Sequence, residues 1–173
     1  MKPIFVLYSG LLVLSPTALA EEAPVTTSMD IIATEQAIPC STELRELARS
    51  SLKKNPHRML AYKEKVSDIH LFNALAVTHY RDRDSHITFH GIKNANGTCD
   101  TSVTESYVLQ TPCADARHEA FSKWDFQGKL TDKTMVLNSK RIEGKQAFLT
   151  DQFTTLCLVT TRQLVENKGS KAN

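Results

Sequence analysis

Polar and apolar positions alternate most cleanly between Ser85 and Leu109, where Ser-His-Ile-Thr-Phe-His-Gly-Ile precedes Asn96-Gly97 and Thr-Ser-Val-Thr-Glu-Ser-Tyr-Val-Leu follows it. A period of two, with β-branched and aromatic residues flanking an Asn-Gly pair, predicts two strands joined by a tight hairpin. A helical period appears earlier. Leu44, Leu47, Ala48 and Leu52 recur behind Ser41-Thr42, which predicts a helix capped before Glu43 and ended by Asn55-Pro56. Residues 58–80 suggest a second helix, broken near Ser67-Asp68, and its stretch from Ile69 to Tyr80 is apolar apart from His70, Asn73 and His79. From Met29 to Ile38 the pattern fits a short helix or an edge strand equally.

Beyond the hairpin, Thr111-Pro-Cys-Ala114 reads as a loop, and Trp124, Phe126 and Leu130 are spaced as in a half-buried strand. Residues 134–139 make another strand, Glu143-Gly144 a turn, and residues 145–164 one long strand or two short ones around Asp151. The expected class is therefore α+β, with N-terminal helices packed on one face of a curved antiparallel sheet of about five strands. That element order resembles cystatin-like and helix-grip architectures, a likeness that implies a shape and no activity. No internal repeat is visible in the sequence.

The first 20 residues carry a short basic start, an apolar run from Ile4 to Leu14, Pro16 and an Ala18-x-Ala20 ending. These are the parts of a secretory signal peptide, and the run is short of the ~20 apolar residues that a membrane span needs. The expected plan is a signal peptide over 1–20 cleaved at Ala20/Glu21, a polar leader over 21–38, one domain over 39–165 and a disordered tail over 166–173. Export places the chain in the periplasm or the medium.

Cleavage removes Lys2 and leaves 20 basic residues against 19 acidic ones. So even a balance argues against nucleic acid or an anionic membrane held by bulk charge. In an oxidising compartment, Cys40, Cys99, Cys113 and Cys157 are expected to form two disulfides, because their spacing suits neither a zinc site nor a Cys-x-x-Cys redox motif. A simple up-and-down meander puts Cys99 and Cys157 at one end of the sheet, giving Cys99–Cys157 and Cys40–Cys113.

Two groups of residues are candidates for chemistry. If the hairpin has a two- or four-residue loop, His86, Thr88 and His90 share a face with Glu105 and Tyr107, and His86, His90 and Glu105 become candidate metal ligands or an acid–base pair. His79, Asp82 and Asp84 would join them if the connector folds back. Against this, His-x-x-x-His on a strand spans ~13 Å at ~3.3 Å per residue, too far for one ion without a bulge. The second group is the basic helix face Arg45, Arg49 and Lys53, with Trp124, as a partner-binding surface.

No nucleophile elbow, phosphate-binding glycine loop or zinc-protease helix is present, and no motif calls for a cofactor. By elimination the expected function is a small exported protein-binding module, such as an enzyme inhibitor or an immunity protein that neutralises a toxin, with its partner in the periplasm or envelope. A small metal-dependent hydrolase using His86, His90 and Glu105, and a carrier of a small apolar ligand walled by Ile69–Tyr80, are the alternatives.

Overall fold

A computed structural model describes residues 26–63 and 70–166. The expected signal peptide, residues 21–25 of the polar leader, the Ser67-Asp68 break and nearly all of the expected tail lie outside these residues. Within them the chain is mostly β, with three short helices and one eight-stranded antiparallel sheet, which corrects the expected α+β class of N-terminal helices on a sheet of about five strands.

The elements run α1 (Ser28–Glu35), α2 (Ser41–Leu52), β1 (His57–Lys63), β2 (His70–His79), β3 (Asp84–Lys93), β4 (Cys99–Leu109), α3 (Cys113–Glu119), β5 (Trp124–Thr131), β6 (Thr134–Ser139), β7 (Lys145–Gln152) and β8 (Leu156–Glu166). The region read as a second helix is instead the β1–β2 hairpin. Its alternation is hidden because both faces of β2 are apolar: Phe72, Ala74 and Ala76 are buried while Leu75 and Val77 point outward. Of the segment read as a loop at Thr111–Ala114, Cys113 and Ala114 instead form the first residues of α3.

Strand order is β1-β2-β3-β4-β8-β7-β6-β5. Two four-stranded meanders therefore meet along β4 and β8, which pair antiparallel from Asp100↔Glu166 to Leu109↔Cys157. Each half repeats one plan. A Pro-Cys pair opens a helix, at Pro39-Cys40 and Pro112-Cys113, four strands follow, and the helix-start cysteine is bridged to the start of the fourth strand, as Cys40–Cys99 and Cys113–Cys157. The repetition lies in topology rather than in residue identity.

These bridges correct the expected pairing of Cys99 with Cys157 and of Cys40 with Cys113. Because β4 and β8 are antiparallel neighbours, their first residues sit at opposite ends of the sheet. Each cysteine at a strand start reaches the helix of its own half instead.

All three helices lie on one face. Under α1 and α2, Leu44, Leu47, Ala48, Leu52 and Met29 pack with Phe72, Ala74, Ala76, Ile87, Phe89 and Val103. A Cβ on Gly91 would come within 2.9 Å of Leu44 Cδ1, so the bare backbone of β3 is what lets α2 sit this close. Under α3, Cys113, Ala116 and Phe121 pack with Leu137, Ala147, Leu149, Cys157 and Val159. Side chains of β4 serve both clusters, Cys99 and Val103 in the first and Tyr107 and Leu109 against the second.

The start of α1 is fixed by Asp30. Its Oδ2 accepts the Thr27 backbone N–H at 2.8 Å and the Thr27 hydroxyl at 2.9 Å, while Oδ1 takes the Arg49 Nη2 at 2.5 Å. Burial pushes the carboxyl pKa up, but the Thr27 hydrogen bonds and the Arg49 charge outweigh it and hold it below the usual 3.8. A depressed folded-state pKa gives stability that is complete above the unfolded value and is lost as pH falls through the folded one. We expect Asp30→Asn to melt lower than the parent at neutral pH and to converge with it in acid, a difference that thermal melts across the acid range measure.

Candidate functional site

The face of the sheet opposite the helices carries no covering element among the described residues. Its side chains come from alternate positions, and the registers align them in rows across six strands. One row reads Leu75, Thr88, Thr104, Arg162, Gln146 and Asn138, and the next Val77, His86, Ser106, Thr160, Phe148 and Val136. Thr104 and Arg162 stand at equivalent places in the two halves, each five residues after the bridged cysteine of its strand.

An open trough of about 810 Å³ lies on this face, lined by His90, Ser102, Thr104, Asn138, Gln146 and Arg162 among others. Its floor is a relay of planar polar groups. Arg162 donates from Nε and Nη2 to Gln146 Oε1 at 2.9 and 2.7 Å, and Gln146 Nε2 donates to Asn138 Oδ1 at 3.1 Å. The guanidinium also lies 5.1 Å from the Phe148 ring centroid. A second open depression of about 720 Å³ combines an apolar wall of Val108, Leu156 and Leu158 with Asp82, Asp84 and His86.

The candidates named from sequence are scattered by the register. The hairpin loop holds five residues, Asn94–Thr98, between the paired Lys93 and Cys99, with Gly97 at φ 83°. An odd loop shifts the pairing by one residue, and one residue turns every side chain to the other face. His86, Thr88 and His90 therefore face Ser106, Thr104 and Ser102, while Glu105 and Tyr107 point to the helix side. The His86, His90, Glu105 set cannot converge. Among the described residues no group of three or more His, Cys, Asp or Glu is placed to hold a metal ion.

Glu105 instead braces the β2–β3 turn. Its Oε1 accepts the Ser85 hydroxyl at 2.8 Å and the Tyr80 hydroxyl at 3.1 Å. Arg83 stacks on Tyr107, 4.5 Å to the centroid, and on Tyr80 at 5.3 Å. Burial first, and the Glu105 charge second, push the Tyr107 pKa up to about 12, so this phenol stays neutral at physiological pH. His79 pairs with Asp84 at 2.7 Å, and Asp82 with Arg83 at 2.6 Å.

The basic helix face is also spent in part. Arg49 and Arg45 turn to Asp30 of α1, at 2.5 and 3.9 Å, which leaves Lys53 exposed at the helix end. Trp124 is half-buried and packs edge-on against Phe121 at 5.3 Å. The space expected to hold an apolar ligand beside β2 is filled, since Phe72, Ala74 and Ala76 are at most 1% exposed against α2.

Arg162, Gln146, Asn138 and Thr104 escape a reading of the sequence. One signal was present: with Cys157 and Val159 assigned inward, alternation sends Thr160 and Arg162 outward.

No helix of the described residues is long and apolar enough to cross a membrane, and the two disulfides are consistent with an oxidising, exported location. No family model, curated protein or solved structure matches the chain.

Proposed function

We propose that this chain is an exported, periplasmic binding protein that docks another protein on the uncovered face of its sheet, in the manner of an enzyme inhibitor or toxin-neutralising immunity protein. The observation that carries this reading is the uncovered face itself, with its open trough spanning β3 to β6. Two disulfides, each tying a helix to the sheet, hold that face rigid, and a rigid surface loses little entropy on binding. Exposed Leu75, Val77 and Val108 beside the hydroxyl rows supply apolar area at its margins. The residues that would have served a hydrolase are divided between the two faces of the sheet, which removes the support for that alternative.

The test is capture of a partner by the mature protein, repeated with Ser106→Trp and Thr88→Trp on the uncovered face and Glu119→Arg on α3. Both Trp variants are expected to weaken a stoichiometric complex by about tenfold or more, since bulk at the centre of an interface disrupts its packing. Glu119→Arg is expected to leave it unchanged. Loss on the α3 variant with retention on both Trp variants would place the interface on the helix side and end this reading.

A further inference from the structure

We infer that the trough around Arg162 is a carboxylate-recognition site, so that the docked partner presents an acidic segment to it. This rests on the uncovered-face reading and names the chemistry of the partner. The first ground is the charge of Arg162. None of the ion pairs within the described residues involves it, and its two hydrogen bonds go to a neutral amide.

The second ground is stereochemical. A guanidinium offers five N–H donors in a planar fork that matches a carboxylate. Gln146 takes the edge made by Nε and Nη2, and Asn138 holds Gln146 in that orientation. The Nη1–Nη2 edge remains for a bidentate carboxylate, and the stacked Phe148 ring fixes the plane in which it approaches. The Asn138 amide N–H groups have no partner among the described residues, so they add donors to the lining of the trough.

The third ground is the charge of the lining. Arg162 and Lys145 stand against one acid, Glu143, and the exposed Arg141 lies in the same β6–β7 connection as that acid. Hydroxyls of Ser102 and Thr104 complete a lining rich in donors, which suits acceptor oxygens. One preorganised guanidinium in a chain of nearly balanced charge fits a protein segment carrying a few Asp or Glu side chains. A polyanion such as nucleic acid or a sulfated glycan is held instead by a broad field of Lys and Arg.

The test titrates the mature protein with a short fluorescent peptide rich in Asp and Glu, followed by anisotropy. The matched Asn/Gln peptide, a heparin fragment and an oligonucleotide serve as comparison probes. Binding of the acidic peptide is expected, weakening as salt rises, with little binding of the Asn/Gln peptide. Arg162→Gln should lower the affinity roughly tenfold or more, while Arg162→Lys, which keeps the charge and loses the fork, should restore only part of it. Gln146→Ala should weaken binding with Arg162 still present, because the fork is no longer held.

Equal binding of heparin or the oligonucleotide would overturn the assignment in favour of a general polyanion site. Unchanged peptide affinity in Arg162→Gln would overturn it outright. If partner capture is lost in Ser106→Trp but kept in Arg162→Gln, the uncovered face remains the interface and the carboxylate assignment alone fails. If capture survives both, the two readings fail together.

Discussion

Replacing Cys113 and Cys157 together by Ser is expected to lower stability by about 4 kcal/mol, and replacing Cys40 and Cys99 together by a similar amount, from the loop-closure entropy of chains this long. The bridges close loops with sequence separations of 44 and 59 residues. For a domain of this size, each loss corresponds to a melting temperature roughly 10 °C lower. The two bridges sit in separate clusters, so their effects should nearly add. Thermal melts of both double variants measure this, and proteolysis without reductant identifies the bridged peptides. Recovery of a Cys99–Cys157 peptide would contradict the two-unit arrangement of the sheet, and variants that melt with the parent would remove the cysteines as staples.

The second large effect is expected at Phe89. Its ring is 0% exposed on the helix side of β3, in the cluster with Leu44, Phe72 and Ile87. Truncation removes the buried ring and leaves a cavity that a helix bridged to the sheet cannot collapse to fill, so Phe89→Ala should cost about 4 kcal/mol. Phe126, on edge strand β5, is 44% exposed and stacks only against Arg117, so Phe126→Ala should cost ~1 kcal/mol or less. Denaturant unfolding of the two variants gives the comparison directly. Equal losses would mean that the helix-side face of β3 is not the core of the first half.

What the sequence makes legible is local. Helix α2 is readable because Leu44, Leu47, Ala48 and Leu52 form one apolar stripe ended by Asn55-Pro56, and the β3–β4 hairpin because alternation and Asn96-Gly97 agree. The β1–β2 hairpin is not, because Leu75 and Val77 on the uncovered face make β2 as apolar outside as inside. Those exposed residues belong to the face proposed as the interface.

Parity of a loop is the other obstacle. Asn-Gly marks that the chain turns, but five residues between Lys93 and Cys99, rather than two or four, decide which face Glu105 takes. Hydrogen bonds from Asn94 N to Thr98 O and from Gly97 N to Asn94 O build this wider turn, which no composition rule anticipates. Long-range pairing hides the rest. Arg162 meets Gln146 only because β8 returns between β4 and β7, and the cysteine pairing follows from that same return.

The most direct measurement of the central claim is histidine modification by diethyl pyrocarbonate, with and without the captured partner. His86 and His90 lie on the uncovered face, and His118 is exposed on α3 at the opposite side. Docking on the uncovered face predicts that the partner protects His86 and His90 while His118 reacts at its unbound rate. Protection of His118, with His86 and His90 still freely modified, would contradict the account.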